Sequence, residues 1–398
     1  MAISKKVQGF VERGSWIRKM FEEGIALKEQ YGEASVFDLS LGNPIMEPPP
    51  RFIEELRKIA AHPTPGMHRY MPNAGYVETR AAVAAQLDKE TGLPFAAGHI
   101  VLSCGAGGAL NVVMKTLLDP GDEVVVFAPY FVEYVFYADN HGGACRVVPT
   151  DQAFLPDLDA FESAVGPQTR IVLVNSPNNP TGVVYSADLL ARLGRIIRAK
   201  EEQYSTEITL VSDEPYRKIL FDGLEYPHIF RHHPRSIMAT SHSKDLGLPG
   251  ERIGIIAVAP DYPGGEEVLD GLTFCNRTLG FVNAPALMQR IVAHLQGVTI
   301  DVSDYQAKRD WLYAALVDIG YSVVRPQGAF YMFPRSPMAD DVAFVEELRK
   351  HRVLVVPGSG FGTPGHFRIA YCVGDRSLEG SLDGFRAAFM AATGSHSS

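Results

Sequence analysis

Between residues 99 and 257 the chain repeats one rhythm, a short run of β-branched and apolar residues followed by a connector or a stretch of helical periodicity. The runs are His99–Ser103, Glu123–Phe127, Ala144–Val148, Arg170–Val174, Glu207–Ser212, Ser236–Thr240 and Arg252–Ala257. Helical patterns separate many of them, as over Gly108–Leu118 and Asp188–Glu202. Strands that return in the same direction need a crossover, and a helix commonly supplies it. The rhythm therefore predicts an α/β fold, a mostly parallel seven-stranded sheet flanked by helices on both faces.

After about residue 285 the pattern changes. Helical periodicity covers Pro285–His294 and Val302–Ile319, short strands are expected at Tyr321–Val324, Ala329–Phe333, Val353–Val355 and Phe367–Ala370, and a helix over Ser377–Ala391 closes the chain. At 398 residues the chain exceeds the roughly 250–300 residues at which one hydrophobic core stops growing. Two domains follow: a large one over 51–285 and a smaller α+β domain built from 1–50 and 286–398. The first thirty residues read as an amphipathic helix, with Phe10, Trp16, Ile17, Met20, Phe21 and Ile25 at helical spacing. The polar tail from Thr393 to Ser398 is expected to fray.

The net charge is −9 and no basic run offsets it, which argues against a nucleic-acid or anionic-membrane surface. The four cysteines, Cys104, Cys145, Cys275 and Cys372, lie far apart and form no CxxC pair. Neither a metal-ligand spacing nor a disulfide framework is supported, as expected of a cytoplasmic protein. Charges spread through the N-terminal segment exclude a signal peptide there, and no apolar run approaches the length of a membrane span.

Chemistry concentrates in a few segments. Lys244 stands in Ser241-His242-Ser243-Lys244-Asp245-Leu246-Gly247-Leu248-Pro249-Gly250-Glu251-Arg252. Hydroxyls and a guanidinium can hold a phosphate while the amine reaches an aldehyde carbon, and a lysine amine becomes nucleophilic when desolvated or set beside other cations. Taken alone, the segment could equally be a strand end with one exposed lysine. Cys104-Gly105-Ala106-Gly107-Gly108-Ala109-Leu110 follows a strand and opens a helix, a place where backbone N–H groups can meet a phosphate. It fails the dinucleotide fingerprint, since Leu110 replaces the last glycine or alanine, and a turn without ligand stays open.

Asn175-Ser176-Pro177-Asn178-Asn179-Pro180-Thr181-Gly182 sits past a strand's carboxyl end, where open α/β sheets bind ligands. A plain turn also uses Asn, Pro and Gly, although eight such residues in this order exceed what a turn needs. Asp213, in Ser212-Asp213-Glu214-Pro215-Tyr216, could keep a ring nitrogen protonated or could cap a helix. Pro129-Tyr130-Phe131-Val132-Glu133-Tyr134 offers flat side chains for stacking or for the core. Arg368, between apolar neighbours, is costly to bury unpaired and matches a carboxylate bidentately, unless it serves a structural ion pair.

Together these segments resemble the fold-type-I pyridoxal-phosphate enzymes, specifically the class I aminotransferases related to aspartate aminotransferase. The likeness runs from Leu41-Gly42-Asn43-Pro44 to Arg368 and rests most on Asn178–Gly182 and on Lys244 with an arginine eight residues later. The resemblance implies pyridoxal 5'-phosphate as cofactor, bound to Lys244 as a Schiff base. It implies that Lys244 then moves a proton, that Asp213 pairs with the ring nitrogen, and that Tyr216 and Asn179 bond the ring oxygen. Phe131 would stack on the ring, where aspartate-specific enzymes usually carry Trp. Gly105, Ala106, Gly107, Ser241, Ser243 and Arg252 would surround the phosphate, and Tyr70 would reach the partner's phosphate across a homodimer interface. Arg368, with the Gly42 backbone, would clamp the substrate α-carboxylate.

The implied activity is amino transfer from an α-amino acid to a 2-oxo acid. The run from Ser243 to Gly250 also looks like the lysine segment of aminocyclopropane-carboxylate synthases, so a lyase or decarboxylase on the same fold is an alternative. A cofactor-binding regulatory module is another, disfavoured by the negative charge and the lack of a preceding helix-turn-helix; an inactive relative is disfavoured because each motif position is chemically competent. Arg277 lies near the place where dicarboxylate-specific relatives carry a second arginine, although its spacing to Asn283 departs by one residue from their pattern.

Overall fold

A short strand, β1 (Phe37–Asp38), precedes the seven that build the central sheet: β2 (Ile100–Ser103), β3 (Glu123–Phe127), β4 (Ala144–Val148), β5 (Thr169–Asn175), β6 (Thr209–Asp213), β7 (Ser236–Ser241) and β8 (Gly254–Val258). The structure, a computed structural model, describes residues 2–13 and 16–394. Across the sheet the order is β2-β8-β7-β6-β5-β3-β4, all parallel except β8, which runs against both neighbours. Each run expected from the sequence is a strand, with ends shifted by two residues at most. Helices cover both faces of such a sheet, so its inner strands are near-continuous apolar runs. Ile171 to Val174 of β5 are accordingly buried, whereas Val147 on the edge strand β4 is half exposed.

Two of the crossover helices start where a side chain satisfies their first N–H groups. Asp157 accepts from the N–H groups of Asp159 and Ala160 to open the helix Leu158–Ala164, and Ser186 accepts from Leu189 to open Ala187–Tyr204. Among the described residues no helix is long and apolar enough to cross a membrane.

Beyond the sheet lie β9 (Tyr331–Met332), β10 (Val353–Leu354), β11 (Val356–Pro357) and β12 (Phe367–Ala370). Strands β11, β12 and β9 form an antiparallel sheet, and β1 pairs in parallel with β10, drawing the N-terminal segment onto the C-terminal part of the chain. Three expectations need correction. Tyr321–Val324 is not a strand; Tyr321 is committed to a cluster with Phe344, Phe367, Phe385 and Phe389, and its hydroxyl donates to the Phe385 carbonyl. The closing helix is two, Asp375–Gly380 and Leu382–Thr393. Gly380 packs so tightly on the Phe37 ring that a Cβ would collide with it, and the Ser381 hydroxyl turns back to the Leu378 carbonyl. Val353–Val355 is shorter than expected: β10 ends at Leu354, and Val355 separates it from β11.

The N-terminal helix is also two, Lys5–Arg13 and Trp16–Tyr31. Met20 is buried and Phe10 packs edge-on against Phe136, but Ile25 faces solvent instead of joining them. The expected side chains Ile17 and Phe21, and the tail beyond Gly394, lie outside the described residues.

Parallel pairing brings the carboxyl ends of β2, β3, β5, β6 and β7 to one edge of the sheet. Because β8 is reversed, its amino end joins them, with Gly254 in register with both Ser103 and Ser241. A Cβ at Gly254 would run into the Gly105 backbone. Gly254→Ala should therefore lower stability in urea by about 1–3 kcal/mol. Gly250→Ala, where a Cβ meets open space, should change it by less than about 0.5 kcal/mol.

Candidate active site

Lys244 lies just past the end of β7, and its Nζ donates to the Gly42 carbonyl at 2.6 Å. Burial pulls the amine down to about 8, against the nearby Cys372 and with help from Arg368 and Arg252. Asp245 next to it faces the other way. Burial would raise that carboxyl, yet His242 at 3.1 Å and Lys218 at 3.1 Å hold it well below the usual range. The charged neighbour of Lys244 is thus spent on a separate ion cluster.

Asp213 is the last residue of β6, buried, and no helix follows it to be capped. Its Oδ2 accepts from the Tyr134 hydroxyl at 2.6 Å, while its Oδ1 is buried with no partner. Burial pushes this carboxyl up to about 7, against the Tyr134 hydrogen bond. Asn175, in register with Asp213, donates to the Asp213 carbonyl at 2.9 Å and accepts from the Asn179 N–H at 2.7 Å, so it joins the two loops. The adjacent Asn residues divide the work. Asn178 Oδ1 accepts from the N–H and the hydroxyl of Thr181 to close the turn, and Asn179 faces the cavity.

Arg368 on β12 is 2% exposed. It donates to Asn179 Oδ1 at 3.1 Å and to the Ser40 carbonyl, and its guanidinium lies 4.7 Å from the Tyr331 ring and 4.9 Å from the Phe361 ring. Among the described residues no carboxylate pairs with it, and its Nε is buried without a partner, so the expected alternative of a structural ion pair does not hold. Tyr216 is buried with its hydroxyl 2.9 Å from that of Tyr331.

These groups enclose a cavity of about 320 Å³. Gly42, Ala106, Gly107, Phe131, Asn179, Asp213, Tyr216, Ser241, Ser243, Lys244, Arg252 and Arg368, all singled out from the sequence, line it. Gly105 stands just behind, at φ +70° where only glycine is comfortable, with Arg252 packed against it. Tyr70 does not line the cavity and is 89% exposed. Arg277 is exposed on the helix Gly265–Thr278, also away from the lining. Wider clefts of about 620 and 730 Å³ flank Arg335 and Pro364, but neither gathers buried ionisable groups of this kind.

The phenols Tyr134, Tyr137 and Tyr331, which line or support the cavity, were not foreseen. Tyr134 had a signal, its place in the aromatic run Pro129–Tyr134 three residues after Phe131, and the two rings meet edge-on. Tyr331 sits in the apolar run Ala329–Phe333, which reads as core.

Comparison with known proteins fixes the family. The model for aminotransferases of class I and II matches residues 34–380. The chain belongs to that family. The aspartate/prephenate aminotransferase of Thermus thermophilus is 32% identical over 87% of this chain and 89% of its own length. An amino transferase from Eubacterium rectale superposes with a TM-score of 0.95, 34% identity and coverage of 98% of this chain and 99% of its own. The T. thermophilus aspartate aminotransferase structure with maleate gives 0.85, 28%, and 98% and 100%.

This chain is thus a pyridoxal-phosphate-dependent aminotransferase of fold type I, and the lyase and regulatory-module alternatives are not favoured. Its cavity fits the cofactor. The unpartnered Asp213 Oδ1 suits a protonated ring nitrogen, and the N-terminus of the helix Gly105–Leu117, with Ser241, Ser243 and Arg252, suits a phosphate.

In the cofactor-free protein the folded state keeps a proton on Asp213 between about pH 4 and 7, where the unfolded chain has lost it, so this group's contribution to stability falls as pH rises through that window. Asp213→Asn, which cannot ionise, should remove this loss. Relative to wild type, the variant should gain about 1–4 kcal/mol between pH 4.5 and pH 8, as read by urea unfolding without cofactor.

Proposed function

We propose that the protein moves an amino group from an L-α-amino acid to a 2-oxo acid in two half-reactions, with Lys244 and Asp213 as its working pair. The observation that carries this is one cavity lined by both a desolvated amine and a buried carboxylate with one oxygen left free. When bound, pyridoxal phosphate supplies an electron sink for the electrons released at the substrate α-carbon.

The chain's own residues do the rest. Asp213 Oδ1 holds the proton on the ring nitrogen, and Tyr134 occupies Oδ2 and so fixes the carboxylate's orientation. A cation at Oδ1 favours the charged carboxylate and offsets the cost of its burial. Phe131 offers a flat face to the ring, and Tyr216 and the Asn179 amide donate to the ring oxygen. Gly105, Ala106 and Gly107 at the helix start, with Ser241, Ser243 and Arg252, take the phosphate. Arg368, helped by the Gly42 backbone, takes the α-carboxylate; its free Nε and its packing against two rings leave it preorganised for that anion. Lys244, poised near neutrality by burial, would take the proton from the substrate α-carbon and return it during amino transfer.

The same proposal includes a homodimer, a cytoplasmic location and a division into a large domain over 51–285 and a small one of 1–50 with 286–398. Exposed Tyr70 supports the first, since it stands beside residues 71–73, which Asn73 and Asn283 tie to the loop at 280–283 and Asn276 ties to the helix before it. Free cysteines at 104, 145, 275 and 372 agree with the second. The pairing of β1 with β10 agrees with the third. As to the amino acid, Lys244, Arg252 and Arg368 are the cations of the described lining, and all three already have tasks. A second substrate carboxylate would need a cation from outside this lining.

An amino-acid panel, read by conversion of the bound cofactor's visible band and its return with a 2-oxo acid, tests the activity; no conversion by any donor would refute it. Lys244→Ala should abolish borohydride fixation of the cofactor to protein and slow turnover by more than about 10⁴-fold. Arg368→Ala should raise the amino-acid KM by about 10²-fold or more while cofactor affinity stays nearly level. Equal loss of both would make Arg368 structural.

A further inference from the structure

We propose that Tyr331 is a positioning residue for amino transfer: its hydroxyl donates to the Tyr216 hydroxyl, which commits the Tyr216 proton to the cofactor's ring oxygen, while its ring steadies Arg368. This rests on Tyr216 being the ring-oxygen donor proposed above.

Tyr331 lies on β9, directly across the ladder from Ala370 and beside the strand that carries Arg368. It is 2% exposed, its phenol oxygen is 2.9 Å from that of Tyr216, and the rings meet at 84°. Burial lifts both phenols above their ordinary range, Tyr331 to about 12, so each keeps its single proton at neutral pH. Two hydroxyls then hold two protons, and one is used in the bond between them. If Tyr216 donated to Tyr331, it would have nothing left for a ligand. An anionic oxygen beside Tyr216 draws its proton, and Tyr331 becomes the donor to Tyr216. Donors in series strengthen one another.

Two further contacts are specific. A Cβ on residue 42 would collide with the Tyr331 hydroxyl, so glycine there is what lets the phenol reach Tyr216 across the loop that holds Lys244. The Tyr331 ring also lies 4.7 Å from the Arg368 guanidinium. The titratable and charged groups facing the phenol pair are Asp213, Tyr134, Arg368, Cys372 and Tyr305, with Lys244 close to the same cluster.

The test uses the holoenzyme and its Tyr331→Phe, Tyr331→Leu and Tyr216→Phe variants, with the Phe double variant. The readouts are the pKa of the bound chromophore by absorbance titration, KM and kcat for an amino acid, and melting temperature. Negative charge on the ring oxygen is greatest once the chromophore's mobile proton has left, so losing a donor raises that pKa. Tyr331→Phe should raise it by about 0.5–1 unit with amino-acid KM within about twofold, because the ring stays. Tyr331→Leu should also raise KM by about tenfold. Tyr216→Phe should raise the pKa at least as far, and adding Tyr331→Phe should then change nothing. A Tyr216→Phe shift with none in Tyr331→Phe would overturn the proposal and leave Tyr216's role intact. A shift in neither would remove the Tyr216 assignment itself. A full Tyr331→Phe shift persisting in the Tyr216→Phe background would mean that Tyr331 acts by another route, which also overturns it.

Discussion

Arg368 is a cation with almost no access to water, and it bonds at once to the Ser40 carbonyl of the N-terminal loop and to Asn179 from the end of β5. A buried guanidinium is costly unless its donors are used. Meeting that demand pulls three distant pieces of chain to one point, namely β12, the loop before Gly42 and the Asn178–Gly182 turn. The cavity is the space they leave. Lys244 adds a fourth attachment by donating to Gly42, so the walls of the site hold one another in place before any ligand arrives.

Burial also sets the chemistry. It lowers the amine and raises the acid, so Lys244 and Asp213 are both driven toward neutrality by the same desolvation. A cofactor with an anionic phosphate at one end and a protonated nitrogen at the other returns the charge each region lacks. The ion cluster of Asp245, Lys218 and His242 sits one residue from Lys244 yet is closed on itself, which keeps a permanent carboxylate from fixing the lysine as a cation.

Much of this was legible in the sequence because the pieces are local. Strands of a sheet covered on both sides announce themselves by apolar runs, and ligand-binding loops at their ends announce themselves by residues a plain turn does not need. What stayed hidden depends on partners far away in sequence. Tyr321 has strand-like neighbours, but an aromatic cluster from three later segments claims it. The break at Gly380–Ser381 answers to Phe37, at the other end of the chain. Tyr134 and Tyr331 are phenols in apolar runs, and only the fold brings their hydroxyls to Asp213 and Tyr216.

The pairing of Phe37 with Val353 has a consequence for how the enzyme comes into being. During synthesis the segment bearing Gly42 emerges long before Val353, the strand partner of Phe37. Closing so long a loop is entropically costly and slow. The central sheet, with Lys244 at its edge, can therefore assemble on the ribosome while the wall that bears Arg368 still waits for β10 and β12. A nascent chain would hold a half-made pocket, and competence would arrive in one late step.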